Sequence, residues 1–179
     1  MMLDARGVWA NLLRDADGLA GLPVRDGGRI ALRGTGDVAV DAGSVLDVTA
    51  GASLLSDGKL QGGKGGNVTL ASHVLGQIPS NGGLLSFAGE VRGYGVTGGG
   101  TLSVASGGKI VLGGPVDAQD VTTLRLDPLL FSTGFGKYEI NGYKGLTVAD
   151  GAQIDVLMPV LRLEGGAAQA PDRPRPPTS

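Results

Sequence analysis

Short apolar pairs at strand spacing recur along this chain, and they constrain its fold more than any other feature. In each pair the two apolar residues are separated by one residue, which places them on the same face of a β-strand. The pairs fall into three groups, and within each group successive pairs begin eight residues apart. The pairs are Ile30/Leu32, Val38/Val40, Leu46/Val48, Leu102/Val104, Ile110/Leu112, Tyr138/Ile140, Leu146/Val148 and Ile154/Val156. Glycine-rich turn signals lie between them, as in Gly34–Asp37 and Asn141–Gly142.

Two architectures are consistent with short strands at this spacing. Regular strands with frequent turns are typical of an antiparallel sandwich or barrel. Internal similarity favours a repeat instead: "GGNVTLAS" at 65–72 resembles "GGTLSVAS" at 99–106, and "VDAGSVLDV" at 40–48 resembles "VADGAQIDV" at 148–156. We therefore predict an all-β fold, a parallel β-helix. Its interior would be one aliphatic ladder formed by Ile30, Val38, Leu46, Leu102, Ile110, Leu146 and Ile154.

Composition is consistent with thin aliphatic layers. Glycine accounts for 34 of the 179 residues, and aromatic residues for only 4%. The net charge of −2 has no basic excess, so nucleic acid is not an expected partner. Cysteine is absent, which excludes disulfides, thiolate metal sites and a cysteine nucleophile.

The pattern divides the chain into three parts. Residues 1–28 form a lead-in, where "VWANLLR" at 8–14 is the one stretch with a helical pattern and predicts a short helix. Residues 29–164 form the β-helix coils, with loops near 57–66, 76–83 and 113–120. Residues 165–179 are rich in proline and lack periodicity, so they are predicted to be a disordered tail.

Four stretches, in this order, resemble the large exoproteins of the filamentous-haemagglutinin type. They are "ARGVWANLL" (5–13), "GSVLDVTAGASLLSDGKLQGGKGGNVTLAS" (43–72), "GGTLSVASGGKIVLGG" (99–114) and "FSTGFGKYEINGYKGLTVADGAQIDV" (131–156). The resemblance extends to about Leu163. It implies a right-handed β-helix that is a structural and adhesive shaft, exported by two-partner secretion and found secreted or on the surface of a Gram-negative bacterium. The implied partners are a host-cell or bacterial surface receptor or glycan and, for the full-length protein, an outer-membrane transporter.

The amino-terminal residues depart from that family. "MMLDARGVWANLLRDADG" has no basic region followed by an apolar run, and the family's Asn-Pro-containing secretion domain is absent. We therefore expect an internal or truncated segment of a longer exoprotein. The ends of such a segment would expose unpaired strand edges, which favour self-association.

Several motifs have a structural and a functional interpretation. Gly93–Gly98 matches G-x-G-x-x-G, but a strand-like sequence follows it where a dinucleotide site needs a helix, so a β-turn is favoured. Gly34–Asp37 faintly resembles calcium-binding β-solenoid repeats, yet its aspartate does not recur at the required period. His73 is the only histidine, and neighbouring Ser72 has no visible orienting partner.

The carboxylates suggest an alternative function, that of a β-helical carbohydrate-active enzyme acting on polysaccharide. Asp117 lies close to Asp120, and Asp47 and Asp155 occupy equivalent strand positions. Glycoside hydrolysis needs two acids roughly 5–10 Å apart, flanking the sugar. The candidate sugar-stacking residues are Trp9, Tyr94, Tyr138, Tyr143, Phe87, Phe131 and Phe135. We favour the interpretation that these aspartates are solvated surface residues. No catalytic, cofactor-binding or metal site is therefore predicted, and no cofactor is expected. Ligand-binding residues are left unassigned.

Overall fold

The computed structural model describes residues 1–11, 26–54, 60–72, 83–115 and 120–159. Within these ranges the chain forms β-strands and one 3-10 helix, with no α-helix. The strands are β1 (Met2–Asp4), β2 (Trp9–Asn11), β3 (Arg29–Arg33), β4 (Val38–Val40), β5 (Val45–Asp47), β6 (Ala52–Leu54), β7 (Leu60–Gly62), β8 (Asn67–Ala71), β9 (Leu85–Phe87), β10 (Glu90–Arg92), β11 (Thr101–Ser106), β12 (Lys109–Leu112), β13 (Thr123–Leu126), β14 (Lys137–Gly142) and β15 (Leu146–Val148); the 3-10 helix is Pro128–Ser132. No helix in the described ranges is long and apolar enough to cross a membrane.

The largest sheet contains four parallel strands in the order β14-β11-β8-β3. Its register aligns Ile30, Val68, Leu102 and Tyr138, positions that lie 34 to 38 residues apart in the sequence. Parallel neighbours cannot be joined by a tight hairpin, so the chain must travel through other elements before it returns. Each return adds one strand beside the previous one.

The remaining strands form smaller sheets, which are also mainly parallel. Strands β1, β5 and β10 align Leu3, Leu46 and Val91. Strand β12 lies between β13 and β15, and β4 pairs with β9. Strand β2 is parallel to β6, and the one antiparallel pair among the described strands is the β6–β7 hairpin. The all-β prediction is confirmed, and the described strands do not form an antiparallel sandwich.

The core is a continuous aliphatic cluster supplied by alternate residues of these strands. On β11, for example, Leu102 and Val104 are buried while the alternating residues Thr101, Ser103 and Ala105 are partly exposed. Of the predicted ladder, Ile30, Leu46, Leu102 and Ile110 are buried in this cluster, and Val38 and Ile154 pack against it.

The prediction that Leu146 lies in the interior was wrong, because this residue is 49% exposed. Strand β15 lies at the outer edge of its sheet, and all three of its residues are exposed.

Three other local predictions are corrected. Within the helix predicted for 8–14, residues 9–11 form strand β2, which pairs with β6. Residues 12–14 lie outside the described residues. The predicted loop near 57–66 contains β7, which turns back on β6. The Ile154/Val156 pair is not a strand, since residues 152–159 have no regular structure. Residues 76–82, 116–119 and the tail 165–179 lie outside the described ranges.

Glycine precedes three strands of the largest sheet for a steric reason. Gly28, Gly66 and Gly100 stand two residues ahead of the aligned core positions of β3, β8 and β11. A Cβ at Gly66 would overlap the carbonyl oxygen of Gly28, and one at Gly100 would overlap that of Gly66. Successive passes of the backbone therefore come too close at this row for any side chain.

A pair of leucines tests the core assignment. We expect Leu46→Ala to lower the free energy of unfolding by about 3 kcal/mol, because the side chain is fully buried and leaves a cavity. Leu146→Ala is the matched control, and we expect it to cost about 1 kcal/mol or less because much of the side chain is already in water. Urea unfolding of both variants measures the difference. Equal losses would contradict the placement of Leu46 in the core and Leu146 at an edge.

Candidate functional site

Charged side chains converge on the outer face of the sheet formed by β1, β5 and β10. The register places Asp4, Asp47 and Arg92 side by side across the three strands. Side chains alternate along a strand, and the neighbouring row of Leu3, Leu46 and Val91 faces the core. The charged row therefore lies on the opposite, solvent-facing side.

Two ion pairs form between residues two apart in the sequence, one at the end of β1 and the other within β10. Arg6 donates from Nη2 to Asp4 Oδ2 at 2.6 Å and from Nε to Asp4 Oδ1 at 2.9 Å. Arg92 donates from Nε to Glu90 Oε1 at 2.6 Å and from Nη2 to Glu90 Oε2 at 3.0 Å. Both pairs are bidentate, which fixes the orientation of each guanidinium plane.

Asp47 lies between these pairs and is the buried member of the row. Its side chain is only 5% exposed, although it is on the outer face of the sheet. Oδ1 accepts a hydrogen bond from the backbone N–H of Thr49 at 3.0 Å, and Oδ2 lies 4.0 Å from Arg6 Nε. One oxygen of a nearly buried carboxylate thus has a hydrogen bond, and the other faces a guanidinium at long range.

The ion pairs shift the pKa values of their partners. Hydrogen bonding from Arg6 lowers the pKa of Asp4 from its ordinary value of 3.8 to about 2. Arg92 lowers the pKa of Glu90 in the same way, and each carboxylate raises the pKa of its arginine. Asp4 and Glu90 are therefore ionised at neutral pH. A glycosidase acid needs the opposite shift, a raised pKa that keeps its proton.

Together these residues line an open cleft of about 660 Å³, which we call the charged cleft. Its charged members are Asp4, Arg6, Asp47, Glu90 and Arg92, and Gly7, Thr49, Ala50 and Tyr94 complete the lining. The cleft offers carboxylate acceptors and guanidinium donors in alternation, with one aromatic ring beside them. Such a surface presents hydrogen-bond donors and acceptors to solvent.

A second groove, of about 500 Å³, lies beside β9, β10 and the 3-10 helix. Its lining is more apolar and includes Phe87, Val91 and Leu130, with Arg125 and Asp127 among its polar residues. Asp127 caps the helix by accepting a hydrogen bond from the N–H of Leu129 at 2.8 Å. This carboxylate therefore already has a structural role.

The four aspartates considered from the sequence are not brought together. Asp47 is in the charged cleft, whereas Asp155 is exposed in the irregular segment after β15 and accepts a hydrogen bond from Gln153. The Thr123 and Thr122 hydroxyls lower the pKa of Asp120 by donating hydrogen bonds to it. Asp117 lies outside the described residues.

The described residues of the other sequence motifs make contacts that belong to the fold itself. The strand β11 follows Gly93–Gly98, and Gly93 packs on the ring of Phe135. Asp37 accepts a hydrogen bond from the N–H of Leu84 at 2.8 Å, and buried Ser72 donates one to the carbonyl of Gly83 at 2.7 Å. His73 lies outside the described residues. Across the described ranges, no three His, Cys, Asp or Glu side chains are grouped closely enough to hold a metal ion.

The aromatic residues are dispersed. Tyr94 lines the charged cleft, and Phe87 lines the second groove. Tyr138 packs against Phe131 and Phe135, with ring centroids 4.9 and 6.1 Å away. Tyr143 is exposed, and Trp9 belongs to β2.

Four residues of the charged cleft were not singled out from the sequence: Asp4, Arg6, Glu90 and Arg92. A signal was present, since "DAR" at 4–6 and "EVR" at 90–92 both place opposite charges two residues apart, on one face of a strand. The sequence does not reveal that the two tripeptides lie on either side of Asp47, because that depends on strand register.

Comparisons of the chain with protein-family models, with curated proteins and with solved structures found no match.

The ion pair at Asp4 predicts a measurable acid titration. We expect the carboxyl carbon of Asp4 to titrate with a midpoint of about 2 in NMR spectra, and the midpoint to rise toward 3.8 in Arg6→Gln. Because the folded pKa lies below the unfolded one, the pair stabilises the fold above pH about 4, and this contribution disappears as the pH falls to about 2.

Arg33→Gln, an exposed substitution on β3, is the control and should leave the titration of Asp4 unchanged. A wild-type midpoint close to 3.8, or no response to Arg6→Gln, would contradict the ion pair.

Proposed function

We propose that this chain is a segment of a right-handed parallel β-helix that serves as a structural and adhesive shaft, without enzymatic activity, in a secreted or cell-surface protein of the filamentous-haemagglutinin type. The observation that carries the proposal is the repeated return of the chain to the same parallel sheet, from β3 to β8, β11 and β14. Each return falls 34 to 38 residues after the last, with the core position kept in register. Repeated in-register passes of this kind are typical of solenoids.

The quoted resemblance and the observed register involve the same residues. "GGTLSVASGGKIVLGG" contains β11 and β12, and "FSTGFGKYEINGYKGLTVADGAQIDV" contains β14 and β15. Strands β11 and β14 pair with each other, as do β12 and β15. Two stretches that resemble the family therefore stack as successive layers, which supports β-helix coils as their structure.

The proposed mechanism is architectural. In a solenoid each layer contacts mainly its neighbours, so added layers lengthen a stiff rod without changing its cross-section. Such a shaft holds binding regions away from the cell surface. In this proposal the full-length protein is exported from a Gram-negative cell through an outer-membrane two-partner transporter, and it contacts a surface receptor or glycan.

The charged cleft favours a second candidate function, a β-helical carbohydrate-active enzyme. Acidic residues do converge there with arginine and tyrosine, as such a site would require. The lowered pKa values of Asp4 and Glu90 argue against either as a general acid, however. We therefore rank the enzyme below the adhesive shaft.

Activity assays separate the two candidates. We expect the purified chain to release no reducing ends or unsaturated products from a panel of acidic and neutral polysaccharides, because the lowered pKa values of Asp4 and Glu90 keep both of these cleft carboxylates ionised. Depolymerisation that is abolished by Asp47→Asn or Asp120→Asn would overturn the non-enzymatic proposal. Boiled protein and an unrelated protein from the same expression host control for contaminating enzymes.

The shaft proposal also predicts self-association. Among the described residues, none pairs with the outer edges of β14 and β15. The exposed side chains of Leu146 and Val148 lie on the second of these edge strands. Unpaired strand edges bearing apolar side chains template association with another chain, here a second copy or a further layer of a longer protein.

A charge placed on that edge should weaken the association. We expect light scattering to detect oligomers of the chain at micromolar concentrations and less association in Val148→Lys, since lysine on an edge strand opposes pairing. Val121→Lys makes the same substitution at a 78% exposed valine in the turn before β13, outside the strands, and is the matched control. A wild-type chain that stays monomeric at high concentration would contradict the prediction.

A further inference from the structure

We propose that Asn141 is a site of spontaneous deamidation, and that it reacts because it lies on the open edge of the largest sheet. Asn141 and Gly142 are the last two residues of β14, which is the outermost of the described strands in that sheet. The modification is independent of the shaft proposed above, since it concerns the chemistry of one side-chain amide and the backbone nitrogen that follows it.

The reaction is an attack by the chain on itself, and it makes asparagine thermolabile. The backbone nitrogen of Gly142 attacks Cγ of Asn141, the new N–Cγ bond closes a cyclic imide, and the Cγ–Nδ2 bond breaks. Nδ2 leaves as ammonia and takes the proton of the Gly142 N–H. Water then opens the imide at Cγ to give aspartate, or at the main-chain carbonyl carbon to give isoaspartate. The balance needs only water.

The attacking nitrogen faces the open edge of the sheet. The N–H of Tyr143 donates to the carbonyl of Ser106 on β11 at 2.9 Å. Successive N–H groups along a strand point to opposite sides, so the N–H of Gly142 points away from β11. No described strand pairs with β14 on that side, and no acceptor among the described residues is bonded to this N–H. The sheet therefore does not hold the nitrogen.

The side-chain amide of Asn141 is exposed, and within the described ranges it makes no hydrogen bond. Gly142 adds no side chain that could shield the reacting atoms. Asn67 on β8 has the opposite surroundings. Its Oδ1 accepts a hydrogen bond from the N–H of Thr101 at 2.8 Å, the next residue is Val68, and β8 lies between β3 and β11. We therefore expect Asn67 to keep its amide.

The end of a strand can supply the backbone rotation that the attack requires. The strand stops at Gly142, where a turn begins that is closed by the N–H of Gly145 on the carbonyl of Gly142 at 3.0 Å. Ends of elements open locally at a low free energy, unlike strands paired on both sides. The new carboxylate would lie on the same face as Glu139, two residues earlier, so the edge becomes more negative and less able to pair.

Peptide mapping by mass spectrometry tests the site in the folded full chain, incubated in mildly alkaline buffer and sampled over time. We expect the peptide that contains residue 141 to lose its amide progressively and to acquire aspartate and isoaspartate, with no detectable loss at Asn67. Asn141→Gln should abolish the change at this position, because the longer side chain would have to close a larger ring. Mapping also separates this site from Asn81–Gly82, which lies outside the described residues.

The matched control places the same dipeptide one strand further in. Ala105 and Ser106 are the register partners of Asn141 and Gly142. The N–H of Ser106 faces β14, because its carbonyl accepts from Tyr143 and both groups of a strand residue point to one side. We expect Ala105→Asn with Ser106→Gly to keep its new amide while residue 141 loses its own.

Two results would overturn the proposal. One is retention of the amide at Asn141 in the folded chain over a period in which the urea-unfolded chain loses it. The other is equal loss at residues 105 and 141 in the double variant, with folding verified by its melting temperature. Neither result bears on the oligomer and activity assays, so failure of this site is distinguishable from failure of the shaft.

Discussion

Backbone hydrogen bonding between successive parallel passes of the chain is the constraint on which the other features depend. It aligns Ile30, Val68, Leu102 and Tyr138 although 34 to 38 residues separate each from the next. The same closeness leaves no room for a Cβ at Gly66 or Gly100, which explains the glycines that precede these strands. Aliphatic side chains are then stacked on one side of the sheet, and polar side chains on the other.

The charged cleft is a consequence of the same register. Asp4, Asp47 and Arg92 are neighbours only because β1 and β10 both pair with β5 in one alignment. A slip of one residue would turn this row toward the core and expose Leu46, so burial of the apolar row fixes the position of the charges. The proposed architecture and the charged cleft therefore depend on one set of hydrogen bonds.

Local periodicity predicted which residues form strands, and with them much of the core. Ile30, Leu102 and Ile110 are in strands and buried, because alternation determines the face of a strand directly. Alternation carries no information on which strand lies next to which. Leu146 has the same pattern but is on an edge, and the pairing of "DAR" and "EVR" about Asp47 depends on contacts 43 and 45 residues apart. The helical pattern at 8–14 predicted a helix, but residues 9–11 form a strand. Pairing of this strand with β6 outweighs a weak local preference for helix.

Disulfide cross-linking measures the register of the passes most directly, because the natural sequence has no cysteine. Thr69 and Ser103 are register partners on β8 and β11, and Glu139 lies one strand further, opposite Ser103. Adjacent strands place Cα atoms within disulfide reach, whereas strands two apart, at about 9.6 Å, exceed the limit of about 7 Å. We expect Thr69→Cys with Ser103→Cys to form an intramolecular disulfide under mild oxidation, and Thr69→Cys with Glu139→Cys to form none. Cross-linking of the second pair, or failure of the first in folded protein, would contradict stacking of successive passes in register.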